Sequence, residues 1–192
     1  MVAGVPRSGT SLVYETLLKQ GVDVGKTHTY LTNPFTQLGG TMPLCSRPDE
    51  PGMRIVFLFG NPIHSIISTR KEGLEQNPTH WANCGYVPSN PNRKIDIFYT
   101  DELNYHKMFV EWYYAKPIDH DILCLRYETM YNYLDLLQWF VGQDIKFPAW
   151  KTRRSTYESV STEELVRIEK NHSGFIESVA RAADVKLMMR SR

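Results

Sequence analysis

An apolar run of four residues, Val2 to Val5, stops at Pro6 and turns through Arg7-Ser8-Gly9-Thr10-Ser11. It then enters an amphipathic stretch carrying Leu12, Val13, Thr16, Leu17 and Gln20. That order reads as strand, tight loop, helix. A chain that opens this way is committed to further strands laid beside the first, because a buried strand so short has little to pack against alone. The rest of the sequence supplies them. Val22 to Leu31 reads as a second strand, and Arg54 to Gly60 as a third whose unbroken apolar character suits burial on both faces. Ile63 to Glu75 is the expected helix after it. Leu103 to Ala115 has helical spacing of aromatic and apolar residues, Asp121 to Tyr127 reads as a fourth strand, and Tyr131 to Val141 as its helix. One or two helices are expected beyond Thr162. Such alternation predicts an α/β fold with a central, mainly parallel sheet flanked by helices, its ligands beyond the carboxyl ends of the strands.

Two stretches interrupt the alternation. Thr32 to Gly52 is rich in Gly, Pro and Thr, and Asn77 to Thr100 mixes Pro and Asn with Trp81, Tyr86 and Tyr99. Loops of that length cover a site or bind something. Phe35, Trp81, Tyr86 and Tyr99 either line an apolar pocket or pack the loops onto the body.

With 192 residues, 42% of them hydrophobic, the chain reads as one domain spanning residues 1–192, able to build a core without a metal or disulfides. Twenty-two basic residues against twenty-one acidic ones leave a net charge of +1, so neither nucleic acid nor an anionic membrane is an expected partner, and any anion site must be local. Cys45, Cys84 and Cys124 are odd in number and widely spaced, which reads as reduced thiols in a cytoplasmic setting. The longest apolar run, Ile55 to Phe59, is far too short to span a bilayer. Met1-Val2-Ala3-Gly4 carries no charged leader, so no secretion signal or anchor is expected.

The turn from Gly4 to Ser11 has the GxxxxG frame of a phosphate loop, after a buried strand and at the start of a helix. There, backbone N–H groups and the positive end of the helix can be aimed at an anion. A nucleotide hydrolase would carry lysine at position 10; this chain has Thr10, and its cation is Arg7. Nor does an aspartate close the third strand, which ends Phe59-Gly60-Asn61, so the acidic magnesium ligand of kinase and hydrolase sites is missing there. Near the end of the second strand, alternation puts Lys26 and His28 on one side and Thr27 on the other. A cation and a titratable imidazole would then share a face, the imidazole suited to take a proton near neutral pH.

The Pro-Arg-Ser-Gly-Thr-Ser string resembles the 5′-phosphosulfate loop of the sulfotransferases that use 3′-phosphoadenosine 5′-phosphosulfate (PAPS). Lys26-Thr27-His28 is similar to the Lys-Thr-His segment of the cytosolic members, although it follows the loop more closely here. Gly60-Asn61-Pro62 through Ser68 resembles the family's 3′-phosphate segment, and Leu123 to Met130 its Tyr-Glu signature. The resemblance implies a three-layer P-loop-like fold, PAPS as donor, no metal, and transfer of a sulfuryl group to a hydroxyl or amine of an acceptor: a small molecule, a carbohydrate or a peptide tyrosine. It implies Arg7, Ser8, Gly9, Thr10 and Ser11 around the 5′ end of the donor, His28 as base with Lys26 and Arg7 stabilising charge, Ser68 at the 3′-phosphate and Tyr127 near the adenine. The family's 3′-phosphate arginine is Gly60 here, with Arg70 or the Arg153-Arg154 pair as replacements, and its base-stacking tryptophan is Leu12. Two other readings stand beside this one: a P-loop nucleoside or nucleotide kinase, and a non-catalytic nucleotide-binding module that has lost the 3′-phosphate grip.

Overall fold

The computed structural model describes residues 1–28, 52–90, 92–114, 120–151 and 157–190. Its apolar runs become the strands β1 (Val2–Gly4), β2 (Lys26–Thr27), β3 (Arg54–Phe59) and β4 (Asp121–Arg126), with a later strand β5 (Val185–Met188). They form one sheet in the order β2-β1-β3-β4-β5. The first four strands run parallel and β5 lies antiparallel on β4.

Alternation along the central strands divides the apolar residues between two cores. Ala3, Ile55, Phe57, Phe59, Ile122 and Cys124 face one side, and Val2, Val56, Leu58, Leu123 and Leu125 the other. On the second side lie α1 (Thr10–Lys19), through Val13 and Leu17, and α5 (Leu134–Val141), through Leu137 and Phe140. The first side is covered by α2 (Pro62–Lys71), α3 (Pro78–Asn83), α4 (Tyr105–Tyr113), α6 (Thr162–Asn171) and α7 (Ser173–Ala180). Phe57 stacks on Trp112 of α4 at 5.7 Å between ring centroids, and Phe59 meets Phe109 and Tyr113 at 5.4 Å each. Each buried ring contributes about 1.5–3 kcal/mol through its removal from water. This is an α/β protein with a mostly parallel five-stranded sheet flanked by helices.

From β1 the chain passes over one face through α1 to β2, then returns to place β3 on the other flank of β1 and crosses the opposite face to β4. Strand order therefore reverses at β1, and the crevice between the carboxyl ends of β1 and β3 is where such sheets bind ligands.

Several expectations change. The second strand is limited to Lys26–Thr27 among the described residues, with 29–31 outside them. The helix expected to reach Glu75 stops at Lys71, because Gly73 turns left-handed at φ 63° and starts a short 3-10 turn, Leu74–Gln76. The supposed loop from Asn77 contains α3, whose cap was visible as Asn77-Pro78: the Asn77 side chain accepts from the N–H groups of Thr79 and His80. The tail forms two helices and also β5, which its sequence did not announce. Among the described residues no helix is long and apolar enough to cross a membrane.

Candidate functional site

Between β1 and α1 the chain is held by close approaches. A Cβ on Gly4 would stand 2.4 Å from the Leu58 carbonyl oxygen and 2.6 Å from the Thr10 methyl, so only glycine lets β1, β3 and the loop meet. Arg7 and Gly9 both have positive φ, 65° and 85°. Gly9 precedes α1 and has no side chain to cap it, which leaves the first-turn N–H groups for a ligand or water. Its α-hydrogens face the Tyr127 ring, where a Cβ would come within 2.2 Å. Ser8 departs from its expected role. Its buried hydroxyl lies between the carbonyl oxygens of Val5 and Leu58, and its N–H donates to Val5, so its polar groups brace the loop to β3 and do not face a ligand.

Lys26 and His28 reach toward the same loop, as alternation required. Lys26 Nζ donates to Ser11 Oγ at 3.1 Å and lies over the Tyr14 ring; half-burial lowers its pKa. His28 Nδ1 is 2.6 Å from the Gly4 carbonyl oxygen, and Nε2 is 3.4 Å from Thr10 Oγ1. A carbonyl only accepts, so Nδ1 carries the proton and Nε2 the lone pair. Burial, opposed by the Gly4 hydrogen bond and assisted by the charges of His80, Lys26 and Arg7, lowers the His28 pKa to about 3. The imidazole is neutral at pH 7.

Arg7 Nε donates to Ser68 Oγ at 2.8 Å, and its guanidinium lies 3.6 Å from Glu72. The structure thus joins two residues that the sequence assigned to opposite ends of the donor. Arg70, expected as a replacement cation, is directed elsewhere. Its guanidinium pairs with Glu75 and Asp96 and stacks on Phe98, because Glu75 and Asp96 neutralise it where α2 meets the following turn. Arg153 and Arg154 lie outside the described residues. At Gly60 a carboxylate stands close by: Glu128 Oε1 would be 2.9 Å from a Cβ there, and it accepts from the Asn61 N–H at 3.0 Å.

Three features escaped the sequence reading. Trp150, 41% exposed, packs on Tyr127 at 5.0 Å and on Tyr131 at 5.3 Å, placing an aromatic wall beside Gly9; twenty-two residues of chain separate Trp150 from Tyr127, so no local pattern announced it. Glu128 was legible only as part of the Tyr-Glu string. The third is a buried chain of polar groups, in which Tyr105 Oη bonds both His80 Nε2 and Thr69 Oγ1 at 2.9 Å, and Thr69 in turn donates to the Ser65 carbonyl. Burial and the Arg7 charge lower the His80 pKa to about 4. Of the aromatic residues weighed as an acceptor pocket, Trp81 is buried with its indole N–H on the Glu75 carbonyl, and Tyr86 packs edge-on against it. Tyr99 lies under the Arg167 guanidinium, and Phe35 is outside the described residues.

The geometry therefore gathers Arg7, Gly9, Thr10, Ser11, Lys26, His28, Ser68 and Tyr127 around the carboxyl ends of β1 and its neighbours, and leaves Ser8 and Arg70 with structural partners. No family model matches the chain, and neither a curated protein nor a solved structure matches it.

Proposed function

We propose that the chain is a PAPS-dependent sulfotransferase: a single three-layer P-loop-like domain, cytoplasmic, acting on the hydroxyl or amine of an acceptor. One observation carries this reading. A neutral histidine, fixed in one tautomer by Gly4, meets the head of an anion-binding loop that also holds Lys26 and Arg7. The loop N–H groups and the α1 terminus hold the 5′-phosphosulfate. Lys26 and Arg7 stabilise charge on the bridging oxygen as the sulfur–oxygen bond breaks, and His28 Nε2 receives the acceptor proton. The bound donor's negative charge offsets those two cations and raises the His28 pKa toward the working range. Tyr127 and Trp150 offer the adenine a stacking wall in place of the tryptophan replaced by Leu12.

A second reading has its own support. Glu128 stands at Gly60 where a 3′-phosphate would require a cation, which suits a nucleotide-binding module without transfer activity. Calorimetry with 3′-phosphoadenosine 5′-phosphate (PAP) and adenosine 5′-phosphate separates the two. A sulfotransferase prefers PAP, and the module does not. His28→Ala is expected to keep PAP binding and to lose about 10²- to 10⁴-fold in turnover; unchanged turnover would remove His28 from the role.

A further inference from the structure

Beyond the carboxyl end of β3, the partners of Asn61 fix which way its amide is turned. Its Oδ1 caps α2 by accepting from the N–H groups of Ile63 and His64, so Nδ2 is the end that meets Tyr157 Oη, 2.7 Å away. An amide nitrogen only donates. The phenol oxygen is therefore the acceptor in that pair, and its own proton points away from Asn61. Among the described residues none accepts that proton, and Tyr157, 41% exposed, is open to a ligand. The ring is also held in place: His64 meets it edge-on at 4.8 Å between centroids, and Tyr157 begins a 3-10 turn, Tyr157–Ser159. The result is an accessible hydrogen-bond donor with a fixed direction.

Tyr157 ends a row of contacts that starts at the anion loop. Gly9 lies against the Tyr127 ring, the Tyr127 N–H donates to the Phe59 carbonyl at 2.7 Å, Glu128 takes the Asn61 N–H at 3.0 Å, and Asn61 reaches Tyr157. A nucleotide with its 5′ end on the loop and its adenine on Tyr127 lays its ribose along this row. The described side chains expected at a 3′-phosphate are engaged elsewhere: Ser68 accepts from Arg7, and Arg70 pairs with Glu75 and Asp96. Resting on the sulfotransferase reading, we propose that Tyr157 donates to the 3′-phosphate and thereby sets the preference for a doubly phosphorylated nucleotide. Its O–H bonds a phosphate oxygen, and Asn61 holds the phenol in that sense. A bond from a neutral donor to an ionised phosphate is charge-assisted, so the contact has strength without an arginine at Gly60. The ribose 2′-hydroxyl beside the phosphate can donate to Glu128, so that a hydroxyl meets the carboxylate.

The test compares the parent with Tyr157→Phe, which keeps the ring against His64 and removes the hydroxyl. Calorimetry is expected to show PAP bound about tenfold more weakly by the variant, and adenosine 5′-phosphate, which has nothing for the phenol to meet, within about twofold of the parent. Phosphorus NMR of the two PAP complexes should show the 3′-phosphate resonance displaced and the 5′ resonance in place. Asn61→Ser serves where the phenylalanine variant does not fold: serine can still cap α2 but no longer orients the phenol, and about threefold of the PAP preference should be lost. Unchanged PAP binding in Tyr157→Phe, equal weakening of both nucleotides, a 3′ resonance that stays put, or an undiminished preference in Asn61→Ser would each overturn the assignment. A parent that prefers PAP, with a phenylalanine variant that prefers it equally, leaves the sulfotransferase reading standing and removes only Tyr157. A parent with no preference for PAP over adenosine 5′-phosphate removes both.

Discussion

Gly60 and Glu128 show how one position can set an affinity. The carboxylate that would crowd a Cβ at Gly60 is the far end of a flexible side chain, so it can yield by a few tenths of an ångström. In Gly60→Arg a guanidinium would stand between Glu128 and the expected 3′-phosphate. Part of its charge would go to the carboxylate, and the remainder would form charge-assisted hydrogen bonds to phosphate. The expected result, read by calorimetry, is PAP bound roughly tenfold more tightly with adenosine 5′-phosphate unchanged. Equal tightening of both nucleotides would place the 3′-phosphate elsewhere. Gly9 admits no such change, since its φ of 85° and the Tyr127 ring at 2.2 Å from a built Cβ forbid any side chain.

Among the elements, β5 depends most visibly on a side chain from a distant strand. Arg126, the last residue of β4, donates to Asp184 Oδ1 at 2.6 Å and to the carbonyl oxygens of Val179 and Ala182 at 2.9 Å. The guanidinium thus holds the end of α7 and the turn into β5, and it also lies over the Phe59 ring. Arg126→Ala removes a donor from each of these acceptors, and the half-buried carbonyls must find water or remain unpaired. A loss of about 1–3 kcal/mol is expected, read as a lower urea midpoint. Its hydrogen-exchange signature should be concentrated at Val185–Met188, and an evenly spread effect would argue against the clamp.

For the molecule as a whole, the buried histidines govern the response to acid. His28 and His80 have folded pKa values lowered to about 3 and about 4, chiefly by burial. The unfolded chain binds these protons near pH 6.5 and the folded chain does not, so between those limits the unfolded state holds more protons and stability rises with pH. Their contribution is therefore fully present above about pH 6.5 and shrinks as pH falls, by about 1.4 kcal/mol per pH unit for each histidine. Urea midpoints measured from pH 7 down to pH 4.5 should decline, and His80→Asn should flatten the decline. A flat profile in the parent would show that neither imidazole is neutral by burial.

Much of the sheet was legible because its cause is local. Apolar runs such as Arg54–Phe59 and Asp121–Arg126 state their own conformation, and the order of strands and helices leaves few ways to connect them. The glycine loop and the shared face of Lys26 and His28 could be read for the same reason, through spacing and alternation. The antiparallel pairing of β5, the stack of Trp150 on Tyr127, the diversion of Arg70 to Glu75 and Asp96, and the inward turn of Ser8 could not. Each joins groups far apart in the chain or chooses among partners that only packing presents. Sequence by itself determined the central parallel strands and the glycine loop after the first of them; the tertiary structure alone decided the edge strand β5 and which side chains remain to meet a ligand, because both are settled by what else reaches them first.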